Sequence, residues 1–221
     1  MLNVIYEDNH LLVVEKPVNI LSQGDNTNDD DMVNLLKKYL KEKYNKPGNV
    51  FVGLVHRLDR PVGGIMIFAK TSKAASRLSE QVRNKTFKKT YKAVLHGEMK
   101  KKQDNLSDYL YKDKKTNMVS VVNKNHKDAK DAKLSYKTLA SNNGFSIVEI
   151  DLQTGRPHQI RVQFSSRNHP LYGDQRYGKN VNKKGQQIAL WSYKIEIEHP
   201  TKKEKMEFIC EPPNKYPWNM F

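Results

Sequence analysis

The sequence of 221 residues predicts an α+β fold, in which a mostly antiparallel mixed sheet is flanked by helices. Three observations support this prediction. Short apolar segments of strand length recur along the chain, and Asn143-Gly144 favours a tight hairpin turn between two of them. Two other segments repeat apolar residues with helical spacing. Because a chain of this length can bury one substantial core, we predict a single domain over residues 1–221.

The first half of the chain predicts a hairpin, a helix and two strands around a loop. Two apolar runs, at 4–6 and 11–14, flank Asp8-Asn9 and indicate the hairpin. Apolar residues recur with helical spacing over 32–40, behind acidic residues that suit a helix N-terminus. Strands are predicted at 54–55 and 65–69, so the segment between them is a loop that projects from the sheet.

The second half predicts one helix followed by mainly strands. Ser72 can cap a helix whose Ala75, Leu78 and Val82 face the core. Strands are predicted at 87–95, 134–139, 145–152, 160–164, 193–197 and 205–209. Between the first two strands lies a basic excursion around 100–133, whose apolar run at 118–122 indicates a hairpin arm. A disordered, solvated loop is an equal alternative for 123–133.

Positive charge is the strongest compositional signal. Lys and Arg number 39 and Asp and Glu 24, which gives a net charge of +15. Residues 83–137 carry much of this charge, and aromatic residues interleave there that could stack on unpaired bases. A polyanionic partner is therefore predicted.

Several classes of protein are disfavoured by composition. A single cysteine, Cys210, excludes an intrachain disulfide and a cysteine-based zinc cluster, and makes a reducing, cytoplasmic setting the default. Neither a signal peptide nor a run of about 20 apolar residues is evident, so we predict no membrane association. Metal-ligand spacings and Gly-rich phosphate loops are missing, so we predict no metal and no cofactor. Without a long apolar heptad we expect a monomer.

One loop segment, Val55-His56-Arg57-Leu58-Asp59-Arg60, places a single carboxylate between arginines. Neighbouring positive charges favour the ionised form of Asp59, which can act as a nucleophile. Arg57 and Arg60 could also grip a phosphate. The alternative is a turn held by surface ion pairs.

A second segment inserts polar residues into strand-like sequence, at Arg156, His158, Gln159 and Arg161. Buried polar groups without partners are costly, so we expect these side chains to have partners, with Asp59 and a bound ligand as the candidates. The alternative is that Arg161 is a structural counter-ion and His158 a satisfied core histidine.

Together these segments resemble the pseudouridine synthase superfamily, specifically its RluA-like branch, which isomerises uridine in structured RNA. The resemblance covers nearly the whole chain. Five blocks stand in the family's order, namely YEDNHLLVVEKP at 6–17, HRLDR at 56–60, KTYKA at 89–93, TGRPHQIR at 154–161 and HPLYGD at 169–174.

The resemblance implies roles for particular residues. Asp59 corresponds to the essential aspartate, Tyr91 to the active-site tyrosine, and Arg161 to the basic residue that pairs with the aspartate. Arg57 corresponds to the arginine that occupies the space left by a flipped base. Further contacts with the RNA are expected from Arg60, Arg156, His158, Gln159 and Leu190.

The chain departs from the family pattern in two places, which bear on loop conformation and RNA choice. Pro61-Val62-Gly63-Gly64 stands where a Thr-Ser-Gly run is usual, and Trp191 follows Leu190 where a histidine is usual. Because the predicted fold begins at the first residues, we expect no separate N-terminal RNA-binding module. The acidic stretch 22–31, predicted to be a mobile loop, is expected to lie off the RNA-binding face.

The implied activity is that of an RNA pseudouridine synthase acting on structured ribosomal or transfer RNA, with no obligate protein partner. Two alternatives stay open. One is a noncatalytic RNA-binding protein on the same fold. The other is an enzyme of a different reaction, such as a nuclease or glycosylase that uses Asp59.

Overall fold

The computed structural model describes residues 2–27 and 29–221 and contains eleven strands and three α-helices within those ranges. In chain order these elements are β1 (Asn3–Glu7), β2 (Leu11–Lys16), α1 (Met32–Lys43), β3 (Gly53–Leu54), β4 (Gly63–Ala69), α2 (Ser72–Arg83), β5 (Lys88–His96), β6 (Gln103–Lys112), β7 (Val119–Val122), β8 (Lys130–Asn142), β9 (Phe145–Leu152), α3 (Gln159–Ser165), β10 (Leu190–Glu198) and β11 (Lys205–Ile209). The predicted α+β class, with a largely antiparallel sheet, is confirmed.

The chain forms two compact units. The first consists of the residues up to Lys89 together with Ser192–Glu211, and the second of Thr90–Trp191 together with Pro212–Phe221. The assignment of 1–221 to a single catalytic domain stays a prediction. Among the described residues, no helix has both the length and the apolar composition needed to cross a membrane.

The first unit is built on the predicted N-terminal hairpin. The Asp8 carboxylate accepts hydrogen bonds from the backbone N–H groups of His10 and Leu11, each at 2.7 Å, and so closes the turn between β1 and β2. Strand β2 pairs antiparallel with β4, and residues 11–14 and 65–69 of these strands are fully buried. This buried strand pair is the rigid base from which the loop between β3 and β4 projects.

Two helices belong to the first unit. Helix α1 begins as predicted, because the Asp31 side chain caps it by accepting from Asn34 N at 3.1 Å. Helix α2 is capped by Thr71 and not by the predicted Ser72. Thr71 has the extended backbone of a cap residue, with φ −137°, whereas Ser72 is already helical. Ala74 and Leu78 are the fully buried residues of α2, and the predicted core residues Ala75 and Val82 are half-buried.

The second unit contains the strand order β5-β9-β8-β6-β7, with every registered pair antiparallel. Asn143 and Gly144 both have positive φ, 50° and 76°, which gives the predicted tight turn between β8 and β9. The basic excursion is ordered as β6, β7 and the start of β8. The alternative of a disordered loop is wrong for residues 130–133, which pair with β6.

The strand predicted at 160–164 is wrong, because these residues lie in helix α3. Apolar and polar residues alternate here as in a strand, yet all residues from Gln159 to Phe164 are buried. A short helix that is buried on every side has no apolar stripe, so its sequence carries no helical period. The polar side chains are accommodated by hydrogen bonds inside the protein.

Candidate active site

Asp59 lies in the loop between β3 and β4, as predicted. Its side chain is half-buried, while Arg57 is exposed and Leu58 is buried. The backbone N–H of Val62 donates to Asp59 O at 2.9 Å, which closes a turn just after the carboxylate. The loop therefore presents Asp59 and Arg57 on a backbone that is fixed at both ends by buried strands.

Lys16 is a residue of this loop's surroundings that the sequence analysis did not single out. It is fully buried, and its Nζ donates to Pro17 O at 2.9 Å and to Arg60 O at 3.1 Å. Burial lowers the pKa of Lys16 to about 7; attraction to Asp59 opposes this shift and repulsion from Arg60 adds to it. The feature of the sequence that could have identified Lys16 is its position at the end of an apolar strand, directly before a proline.

Arg60 is held by the acidic stretch 22–31. Its Nη1 forms an ion pair with Asp29 at 2.7 Å, and its Nε donates to Asn19 O at 3.2 Å. Both partners of the ion pair are about half exposed. The acidic stretch, expected to lie away from the RNA, thus contacts one of the residues predicted to bind RNA.

His56 is a structural histidine of the same loop. Its Nε2 accepts from Ile67 N at 3.0 Å, and its ring packs against Phe87. Burial, with a smaller contribution from Lys89, lowers the pKa of His56 to about 3. The ring is therefore neutral at physiological pH and fastens the loop to strand β4.

In the second unit, Arg161 forms a two-bond ion pair with Asp174. The Nε and Nη2 atoms of Arg161 each lie 2.8 Å from an Asp174 carboxylate oxygen, and the two side chains are 8% and 0% exposed. Burial by itself would raise the pKa of Asp174, but the hydrogen bond and the charge of Arg161, together with the backbone N–H groups of Arg176 and Tyr177, outweigh it and the pKa is lowered. This pair supports a structural role for Arg161 as the counter-ion of Asp174; the pairing of Arg161 with Asp59 stays a prediction.

Tyr177 is a second residue that sequence reasoning missed. Its ring lies 5.2 Å from Arg161 Cζ, and its hydroxyl is 2.7 Å from His158 Nδ1 and 3.0 Å from Val119 N. Asp174 has a signal in the sequence, since it ends the block HPLYGD. Tyr177 lies three residues beyond that block and has none.

The other polar residues of the second motif have partners within the second unit. Arg156 pairs with Asp131 at 2.7 Å. Gln159 is 3% exposed, and its Oε1 accepts from Thr154 Oγ1 and Arg156 N at 2.8 and 3.1 Å. These bonds shape the turn that precedes α3. The polar residues of this segment have partners, as expected, and those partners are protein groups of the second unit. Pairing with Asp59 or a ligand, and contacts with RNA, stay predictions.

The structure divides the predicted catalytic residues between the two units. Asp59, with Arg57 and Arg60, belongs to the first unit, and Tyr91 and Arg161 belong to the second. Tyr91 lies in β5 and Leu190 begins β10, and both side chains are buried, with 6% and 5% exposure. Among the described residues, no group of three or more His, Cys, Asp or Glu side chains is placed to hold a metal ion.

The fold and the HRLDR loop are those of one enzyme family. The sequence profile of the RNA pseudouridylate synthases matches residues 10–166, and the chain belongs to this family. Among relatives, it is 34% identical over 202 residues to an uncharacterised RNA pseudouridine synthase of Bacillus subtilis, covering 90% of this chain and 65% of that protein. It is 33% identical over 218 residues to ribosomal large subunit pseudouridine synthase D of Borreliella burgdorferi, covering 96% and 66%.

The chain spans about two thirds of the length of these relatives. Solved structures show the same fold. The human RNA pseudouridylate synthase domain containing 4 superimposes with a TM-score of 0.78 at 19% identity, over 96% of this chain and 88% of that one. The human domain containing 1 gives a TM-score of 0.77 at 21% identity, over 98% and 85%.

Proposed function

We propose that this protein is an RNA pseudouridine synthase, which isomerises uridine in structured RNA with Asp59 as the reacting carboxylate. The observation that carries the proposal is the HRLDR loop in a chain of this family. Its backbone is fastened to buried strands, and its half-buried carboxylate has the Lys16 ammonium within electrostatic reach. A carboxylate that is held in this way keeps the same position from one turnover to the next.

The proposed reaction depends on a carboxylate in a fixed position and calls for no cofactor. The N1–C1′ glycosidic bond of uridine breaks, the base turns, and C5 bonds to C1′. C5 then releases its proton to solvent and N1 takes one up, so the oxidation state does not change. Asp59 attacks or deprotonates the nucleoside, and both fragments stay in one pocket until they rejoin. Because the base starts in a stack, it is first flipped out at a cost of a few kcal/mol. The exposed Arg57 is free to fill the vacancy and offset part of that cost.

Tyr91 and Arg161 take supporting roles in this proposal, by resemblance to the family. Tyr91 contacts the base or helps to move a proton, and Arg161 keeps the reacting carboxylate ionised. In this proposal the ion pair with Asp174, besides its structural role, fixes the plane of the Arg161 guanidinium. We therefore assign Asp174 the task of orienting Arg161.

The RNA is proposed to contact the basic hairpin of β6 and β7 as well as the catalytic loop. Five exposed lysines surround the ends of this hairpin, Lys112, Lys114, Lys115, Lys124 and Lys127. The rings of Tyr111 and His126 lie there with their centroids 4.5 Å apart. Lysines bind phosphates and aromatic rings stack on unpaired bases, so this hairpin is suited to binding folded RNA.

Large-subunit ribosomal RNA is the first substrate to test, because one relative is named for it. Transfer RNA is the second, and the cytoplasm is the compartment we propose for either. The protein is incubated with unmodified transcripts of both RNAs in a chelator, and the RNA is digested to nucleosides. We expect pseudouridine without strand cleavage. Cleaved RNA would favour a nuclease, and RNA bound but unchanged would favour the noncatalytic RNA-binding alternative.

A further inference from the structure

Ser22 makes two hydrogen bonds to the backbone of the residue that precedes Asp59. Its Oγ donates to Leu58 O at 2.8 Å and accepts from Leu58 N at 3.0 Å. Ser22 and Leu58 are 5% and 7% exposed. The single hydroxyl of Ser22 thus satisfies both backbone groups of Leu58, as the amide and carbonyl of a neighbouring strand would.

The residue on the other side of Asp59 is held from the same segment of the chain. Lys16 Nζ donates to the backbone oxygen of Arg60, while Asn19 O and the Asp29 carboxylate bind the Arg60 guanidinium. The last residue of β2 and the segment that follows it therefore fix both neighbours of Asp59, at Leu58 through Ser22 and at Arg60 through three contacts.

Ser22 is itself anchored to a helix. Leu21 pairs with Asp31, the cap of α1, and Leu21 O accepts from Met32 N at 2.8 Å. Helix α1 is in turn fixed by the fully buried side chains of Met32, Leu36 and Leu40. The position of the Ser22 hydroxyl is thereby tied to the core of the first unit.

We propose that Ser22 is a positioning residue for the reaction, whose hydroxyl places the Asp59 carboxylate by fixing the backbone of Leu58. This inference rests on the proposed function of Asp59. Small displacements of a reacting group lower the rate strongly, because only a narrow range of geometries leads to reaction. Loss of the hydroxyl leaves two buried backbone groups of Leu58 unpaired, and the loop moves to find other partners.

The test compares the parent with Ser22→Ala and Ser22→Thr. Each protein is mixed in excess with a ribosomal RNA transcript that carries tritium at uridine C5, and the single-turnover rate of tritium release is measured. We expect Ser22→Ala to lower this rate about tenfold to a hundredfold, with RNA affinity essentially unchanged. Ser22→Thr keeps the hydroxyl and should recover much of the rate.

Ser146 supplies a matched control. It is fully buried, and its Oγ donates to Gly97 O and accepts from Met99 N, each at 2.9 Å. Ser146→Ala therefore removes the same two kinds of hydrogen bond from a different loop, together with a hydrogen bond to the Ser141 hydroxyl at 2.8 Å. We expect the rate of Ser146→Ala to match that of the parent. An equal loss of rate in both variants would mean a general effect on stability and would overturn the proposal.

A second readout needs no activity and separates this inference from the proposed function. Hydrogen exchange of the Leu58 amide, followed by NMR, should be faster in Ser22→Ala than in the parent. Unchanged exchange would overturn the proposal even if the parent isomerised no RNA. Faster exchange with a parental rate of tritium release would also overturn it, since the loop would then be loosened without consequence. An inactive parent would refute the proposed function alone.

Discussion

At the residue scale, the surroundings of Asp59 are defined by one buried lysine and by short hydrogen bonds. Lys16 is the clearest case, because an apolar strand ends in a fully buried lysine whose amine contacts two backbone oxygens. Burial lowers its pKa to about 7, so its charge, and with it the field at Asp59, changes near neutral pH. A lysine of the first family block, to which the sequence assigns no role, thus shapes the electrostatics of the proposed catalytic carboxylate.

The contact between Arg60 and Asp29 leads to a prediction about RNA affinity. Asp29 competes for the Arg60 guanidinium with any RNA phosphate that Arg60 binds. Exchange of Asp29 for Asn removes this competitor. We expect Asp29→Asn to tighten RNA binding about twofold to fivefold, since an exposed ion pair is worth about 0–1 kcal/mol. The measurement is the dissociation constant of a fluorescent ribosomal RNA fragment at low salt.

Asp30→Asn is the control, because it removes the same charge from the next position in the loop. An equal gain in affinity from both variants would attribute the effect to net charge. The specific role of Arg60 would then be contradicted.

At the scale of elements, the strands and the first helix follow from local patterns. Asn-Gly specifies the turn between β8 and β9, and alternating or continuous apolar runs specify the strands that it joins. An aspartate cap and an apolar stripe predict helix α1. These features are local, so the sequence alone predicts them.

Helix α3 was missed for a physical reason. Its identity depends on burial from every side and on the bonds of Gln159 to the preceding turn, and both arise only after the chain has folded. The same limit applies to the candidate site. Asp59, Tyr91 and Arg161 stand out by motif, whereas the contacts of Ser22 with Leu58 and of Arg161 with Asp174 join residues that no local pattern connects.

Gly64 of β4 lies in the segment where this chain departs from the family pattern, and its substitution should change the stability of the protein. Gly64 has φ +111°, and a Cβ atom there would overlap the backbone of Ser192. We expect Gly64→Ala to lower the free energy of unfolding by at least about 3 kcal/mol, from backbone strain together with overpacking. Urea unfolding followed by circular dichroism measures the change.

Gly144→Ala separates these two causes. Gly144 also has positive φ, +76°, but a Cβ there would meet no atom within 4 Å in the described part of the chain. It should cost only the backbone strain, about 1–2 kcal/mol. Similar losses in the two variants would contradict the close approach between β4 and β10.

At the scale of the whole molecule, a net charge of +15 and membership of the RNA pseudouridylate synthase family point to the same kind of partner. In the proposed function, the charge draws in RNA without regard to sequence, and the loop that carries Asp59 supplies the single carboxylate. Binding and chemistry are therefore expected to be separable by mutation, since they depend on different residues. The central claim of the proposed function is that Asp59 is the reacting carboxylate.

The most direct test is tritium release from RNA labelled at uridine C5, by the parent and by Asp59→Asn, without nucleotide or added metal. Asn keeps the size of the side chain and removes its charge and its capacity to react. We predict release by the parent and none by Asp59→Asn, with nearly equal RNA affinity. Full activity of Asp59→Asn would contradict the assignment of Asp59 as the reacting carboxylate.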